Sequence, residues 1–201
     1  MTVHQLCPST DETEKLTIKI VEDETERLKA MLVRAIVYMH EQKCPFHEEF
    51  DLNDHTATQI IGLAGDGEPV LTARIRYFNG FAKIERLSIR SEYRGRGYGH
   101  RLLSFALQLC RQKGFSQFYL HAQLRYENFY SEYGFKPVGG NFGFSDYEYA
   151  EMVLVDAEPH AQPSKQIGIA PMTLNRPENS PFSLGPLEHR PSVERSTLHA
   201  N

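Results

Sequence analysis

Two tight-turn signals divide one stretch of strand-forming sequence. Residues 57 to 89 read ATQIIGLAGDGEPVLTARIRYFNGFAKIERLSI, and the run is interrupted at Gly65-Asp66-Gly67 and at Asn79-Gly80. Each interruption is a hairpin signal, because glycine and asparagine readily adopt the positive φ angles of tight hairpin turns. Three consecutive antiparallel strands follow, at about 57–64, 69–78 and 81–89.

The flanking segments supply helices and more strands. Leu16, Ile18 and Ile20 alternate with polar residues, a strand pattern. Leu28, Met31, Leu32, Ala35, Ile36 and Met39 then recur at helical spacing and predict an apolar stripe. Asp23 and Glu26 fall in that helix's first turn, where its dipole favours acids, and Cys44-Pro45 ends the element. A second helix runs from near Gly97 to Lys113, with Leu102, Leu103, Ala106, Leu109 and Cys110 on one side and Gly114 just past its end. SQFYLHAQ is a strand, RYENFYSEYG a short helix, and FKPVG and YEYAEMVLV are strands. The order β-α-β-β-β-α-β-α-β-β defines an α+β (mixed α/β) class.

Composition bounds the rest. The chain has 201 residues and a net charge of −4, so it is not a nucleic-acid binder as a whole. Cys7, Cys44 and Cys110 are an odd, widely spaced set without a CxxC, which fits a reduced compartment. There is no apolar run long enough to cross a bilayer, and no basic segment leading into an apolar one at the start. A cytoplasmic protein without membrane association is expected. Residues 1–14 read as a disordered lead and 157–201, with seven prolines from Pro159 to Pro191, as a disordered tail, leaving one domain at 15–156.

The segment YRGRGYGHRLL, residues 93–103, puts three glycines at alternate positions before a helix. A helix start carries unpaired N–H groups and partial positive charge, and glycine lets the main chain approach a ligand closely. With Arg94 and Arg96 added, a diphosphate is the natural guest. No lysine follows as a P-loop requires, and the spacing is GxGxG where a dinucleotide fingerprint needs GxGxxG. On the loop alone, a glycine-rich turn without a ligand stays open.

Arg94-Gly95-Arg96-Gly97-Tyr98-Gly99 resembles the [RQ]-x-x-G-x-[GA] signature of the GNAT acyltransferase superfamily. Phe129-Tyr130-Ser131-Glu132-Tyr133-Gly134-Phe135 is similar to its [FL]-Y-x-x-x-G-F. His121-Ala122-Gln123, HEQKCPFHEEFD and GEPVLTARIR resemble the ElaA-type branch, over residues 15–156 in all. The commoner pattern has Asn and Ala where this chain has Gln123 and Tyr126. The resemblance implies a central, mostly antiparallel sheet flanked by helices, with acetyl-CoA as co-substrate, an amine acceptor and no metal. Leu87, Ser88 and Ile89 would contact the pantetheine arm and thioester. Arg94, Gly95, Arg96, Gly97, Tyr98 and Gly99 would hold the diphosphate, with Asn128 as a further cofactor contact.

Tyr130 is the expected general acid, since an ordinary tyrosine pKa of about 10 makes it a proton donor at neutral pH. Tyr126, Tyr130 and Tyr133 share a helical face, so an apolar stripe is the alternative. Glu85 is one candidate base: period-two spacing puts it on one face with Leu87 and Ile89, where apolar neighbours would raise its pKa. Its alternative is a salt bridge with Arg74, Arg76 or Arg86. His121 is the other candidate base, or a hydrogen-bonded core residue. His40, Cys44, His47, Glu48 and His55 match no closed zinc pattern. Glu48, Glu49, Asp51 and Asp54 read as a solvated face, ahead of a rim that attracts a cationic amine. Cys110 reads as packing. GGNFGFSDY, residues 139–147, reads as a mobile lid or a homodimer contact. The function expected is acetyl transfer from acetyl-CoA to a primary amine. The alternatives are a non-catalytic CoA-binding module and an acyltransferase with a longer acyl donor.

Overall fold

The computed structural model describes residues 15–144 and 146–157. The lead 1–14 and the tail from 158 onward lie outside them. Seven strands form one sheet: β1 (Thr17–Ile20), β2 (Thr58–Leu63), β3 (Pro69–Tyr77), β4 (Ala82–Ile89), β5 (Gln117–Gln123), β6 (Lys136–Phe144) and β7 (Tyr147–Val155). Their order across it is β1-β2-β3-β4-β5-β7-β6. The two anticipated hairpin turns are present, with Gly67 at φ +84° and Gly80 at φ +96°.

Every neighbouring pair is antiparallel except β4–β5, which is parallel and brief. Only Ala82↔Phe118 and Lys83↔Tyr119 pair. Past those residues β4 and β5 diverge, and the main-chain edge of β4 faces an open cleft. β4 also carries a bulge. Thr72 opposes Ser88 while Arg74 opposes Glu85, so two residues of β4 stand against Ala73. Arg86 adopts φ +54° there, a conformation costing a non-glycine residue about 1–2 kcal/mol. The extra residue reverses the alternation. Glu85 shares the face of Arg74 and Thr72, whereas Ile89 shares the face of Leu71. The expectation that Glu85, Leu87 and Ile89 point one way is therefore corrected.

Helix α1 (Glu24–Arg34) is capped by Asp23, whose side chain accepts from the Glu26 N–H at 2.8 Å. It continues as a π-helical stretch, Ala35–Glu41. The predicted apolar stripe is not its buried side. Leu28 and Leu32 are 58% and 52% exposed, while Ala30, Val33, Arg34 and Val37 are buried. The sheet face beneath α1 carries the buried polar side chains Gln59, Thr72 and Arg74, so small residues and an arginine meet it.

The loop read as a solvated acidic face is also corrected. It folds into α2 (Phe46–Glu49) and a 3₁₀ turn, Leu52–His55. Glu49 and Asp54 are buried. Arg34, fully buried, binds Glu49 at 2.5 Å and Asp54 at 2.5 Å. Arg74 binds Asp51, Asp54 and Glu85 at 2.7, 2.9 and 3.0 Å. Opposite charges thus satisfy each other across α1, the loop, β3 and β4.

Helix α3 (Tyr98–Gln112) covers the other face, burying Tyr98, Leu102, Leu103, Ala106, Leu107, Leu109 and Cys110 against a core that includes Ile60, Leu71, Ala73, Ile75 and Ile84. Gly114, at φ +90°, closes it, with the Phe115 N–H on the Cys110 carbonyl at 3.1 Å. Residues 139–144 do not stand apart as a loop: they belong to β6, which pairs with β7, with an irregularity between Val138 and Phe142.

Candidate active site

Two cavities open along the β4–β5 cleft, of about 600 and about 540 Å³. They share Gln42, Leu87, Tyr126, Tyr130 and Tyr147 as lining. The geometry is that of two rooms joined at Leu87 and Tyr130.

The first room contains the glycine segment. Leu87, Ser88, Ile89, Arg94, Gly95, Gly97, Tyr98 and Gly99 all line it. Gly95 and Gly97 have φ of +76° and +74°, and a Cβ at either would meet open space. Glycine is needed there for conformation and leaves room for an approaching group. No side chain caps α3 at Gly97, so the first N–H groups are free to bind an anion. Arg94 is anchored by its Nε on the Ile89 carbonyl at 2.9 Å and paired with Glu41 at 2.5 Å. Two expected members do not line this room. Arg96 leans back on the Tyr93 ring and the Glu92 carbonyl, and Asn128 lies on α4 (Glu127–Ser131) outside the lining.

Tyr130 occupies the junction and is 9% exposed. Burial pushes its hydroxyl well above the ordinary tyrosine range, so it stays protonated. The Gly134-Phe135 pair has a local role. Gly134, at φ +89°, closes α4; the Phe135 N–H binds the Tyr130 carbonyl at 3.3 Å, and the Phe135 ring stands edge-on to Tyr130 at 6.1 Å. Tyr126 and Tyr133 do not form a buried stripe with it. Tyr126 is exposed, and the Tyr133 hydroxyl donates to the His100 carbonyl at 3.0 Å.

The second room holds Glu85, His121 and an aromatic wall of Phe142, Phe144, Tyr147 and Tyr149 from the β6–β7 hairpin. Burial alone would raise the Glu85 carboxyl, but Lys83 at 2.9 Å and Arg74 at 3.0 Å outweigh it and hold it below the usual range. The raised pKa expected of Glu85 is thus corrected, and the salt-bridge alternative is the one realised. His121 is different. Although His121 is an exposed position of β5, desolvation of its partly covered ring, aided by Lys83, lowers its pKa below the ordinary value, so its ring is neutral at pH 7. Its Nε2 lies 2.8 Å from the Tyr119 hydroxyl.

Gln123 bridges the cleft, donating to Gln42 and Tyr149 at 3.0 Å each and accepting from Arg125 at 2.8 Å. Sequence reasoning noted Gln123 as a departure from the commoner pattern; the longer amide spans β5, β7 and the end of the first helix. Tyr38, whose hydroxyl donates to the Leu87 carbonyl at 3.0 Å, was missed, since nothing in sequence links positions 49 residues apart. Among the described residues no cluster of three or more His, Cys, Asp or Glu could hold a metal ion, and no helix is long and apolar enough to cross a membrane.

A sequence model of the Acetyltransferase (GNAT) family matches residues 24–135. The chain belongs to that family. A Bacillus subtilis (strain 168) protein named as an acetyltransferase is 29% identical over 153 residues, covering 75% of this chain and 97% of its own. Among solved structures, Escherichia coli ElaA is similar at TM-score 0.65 and 25% identity, with 70% of this chain and 99% of that one covered. An acyl-CoA N-acyltransferase from Pseudomonas aeruginosa is similar at 0.63 and 28%, again with 70% and 99% covered. The sheet is the mixed, mostly antiparallel one that the resemblance implied.

Proposed function

We propose that this protein transfers an acetyl group from acetyl-CoA to a primary amine of a small molecule or peptide, by direct attack of the amine on the thioester. The observation that carries the reading is the junction: a glycine-cradled room and an aromatic, charge-lined room meet at Tyr130 and Leu87.

The N–H groups at the α3 start and Arg94 hold the diphosphate, far from the reacting carbon. Binding there is spent on aiming the thioester along the β4 edge into the junction. The acceptor enters from the second room as an ammonium. His121, neutral and facing that room, takes one proton. The free amine then adds to the carbonyl carbon, the C–S bond breaks, and Tyr130 gives its proton to the departing sulfur. The surplus proton on the new amide nitrogen returns, through solvent, to the tyrosinate. Glu85, charged and neutralised by Lys83 and Arg74, fixes the wall of the second room and takes no part in the proton transfer.

The test is free-thiol release from acetyl-CoA with a panel of primary amines, amino acids and N-terminal peptides. Acceptor-dependent thiol release, with an acetylated product seen by mass spectrometry, is expected. Binding of acetyl-CoA with no turnover on any amine would favour a CoA-binding module instead. Turnover only with longer acyl-CoA donors would favour the wider acyltransferase reading.

A further inference from the structure

We infer that Tyr119 and Glu151 are positioning residues that orient His121 and leave its Nδ1 as the basic atom. The inference rests on the reading of His121 as the base given above. It comes from a side-chain chain that nothing in the glycine or tyrosine motifs touches.

Tyr119 and His121 are two apart on β5 and so face the same side, and Glu151 on β7 stands directly opposite His121 in the ladder. The Tyr119 hydroxyl donates to Glu151 Oε1. The same hydroxyl lies 2.8 Å from His121 Nε2, and the Nε2–Oε1 distance is 4.0 Å. The protons can be counted. An ionised carboxylate only accepts, and a tyrosine hydroxyl has one proton to give. That proton is committed to Glu151. His121 Nε2 must then be the donor to the Tyr119 oxygen, which places the lone pair of the neutral ring on Nδ1. Carboxylate and phenol together fix both the tautomer and the ring plane, as an orienting partner does for any catalytic histidine. Phe142 of β6, edge-on to the ring at 5.0 Å, closes one side.

When Nδ1 takes the acceptor's proton, the ring gains a charge but Nε2 keeps its hydrogen, and no proton moves along the chain. The pair acts by orientation and by field. The groups bearing on His121 are Tyr119 on its own strand, Glu151 from β7, and Lys83, Glu85 and Arg86 from β4. Glu151 and Glu85 favour the imidazolium; Lys83 and Arg86 oppose it. Removing the Glu151 charge therefore disfavours protonation, so the His121 pKa falls and the acid limb of the pH–rate profile moves to lower pH.

The experiment is long-range ¹H–¹⁵N NMR of the full chain labelled at histidine, with His121 assigned from the signal missing in His121→Ala. Above the His121 pKa the wild type is expected to show hydrogen on Nε2, slowly exchanging, and a bare Nδ1. Tyr119→Phe should lose the slow exchange and lower kcat about tenfold, part of the 10²–10⁴ that a placed base supplies, with acetyl-CoA affinity unchanged. Glu151→Gln keeps an oxygen for the tyrosine, and should retain the Nε2 hydrogen while its pKa and acid limb shift downward. Hydrogen on Nδ1 in the wild type, or a His121 pKa unmoved in Glu151→Gln, would overturn the inference. The spectra need no acceptor and no turnover. If His121→Ala turned over like wild type, the base assignment would fail while the spectra still decided the side-chain chain.

Discussion

In the proposed transfer, Tyr130 and His121 divide the proton chemistry between them because their surroundings push them in useful directions. Burial keeps the Tyr130 hydroxyl protonated, and partial desolvation with Lys83 nearby keeps the His121 ring neutral; one can give and the other can take at pH 7. Tyr130→Phe removes one oxygen and leaves the ring packed on Phe129 and Phe135. We expect kcat to fall about 10²-fold, within the range of a general acid, with CoA affinity from calorimetry unchanged; wild-type kcat would remove Tyr130 from the acid role. Asp51 carries a pH prediction. Burial would raise its carboxyl, but hydrogen bonds from Arg74 and Asn53 bring it to about 2. Its folded pKa lies below the unfolded value of about 3.9, so its stabilising effect is full above that value and is lost as pH falls toward 2. Urea-unfolding stability of the wild type should therefore fall more steeply between pH 4 and pH 2 than that of Asp51→Asn. Parallel curves would deny the shift.

Elements place these residues through their ends. The first strand, the three-strand meander and both glycine-closed helices were legible, because glycine and hairpin chemistry is local: strands read at 57–64, 69–78 and 81–89 stand at Thr58–Leu63, Pro69–Tyr77 and Ala82–Ile89. The bulge at Arg86 was not, since no glycine or asparagine marks that left-handed position. Instead the surroundings hold it: Arg86 donates to the Glu48 carbonyl at 2.8 Å and lies 3.2 Å from Glu49. The face of α1 was read backwards for a related reason. Periodicity shows that a helix has an apolar side; whether that side meets the sheet depends on what the sheet presents, here Gln59 and Arg74. Gly134 gives the element-scale prediction. A Cβ there would sit in a left-handed conformation and 3.3 Å from Leu154. Gly134→Ala should cost about 1–2 kcal/mol, lowering Tm by several degrees, and should lower kcat by shifting the turn that seats Tyr130. An unchanged Tm would contradict that role.

Among the described residues, two cores of different character flank one sheet. The α3 side is an apolar core, and the α1 side is a buried charge network running from Arg34 through Asp54 and Arg74 to Glu85. The network was illegible because CPFHEEFDLND reads as surface acid until arginines 15 to 23 residues away fold onto it. Replacing Arg34 by Met leaves Asp54 with Arg74 alone and Glu49 with the half-buried Arg86 alone as counter-charge, so unfolding free energy should drop by about 3 kcal/mol; a loss under about 1 kcal/mol would mean the pair is solvated. The splayed strands between these two layers are what make a cleft with two rooms, and the proposed transfer depends on that cleft. A crystal structure of the protein with acetyl-CoA is the decisive measurement. The diphosphate should lie on the main-chain N–H groups of Gly95 to Gly99 and the thioester between Leu87 and Tyr130; a ligand bound elsewhere, or a thioester facing away from Tyr130, would rule out the proposed transfer.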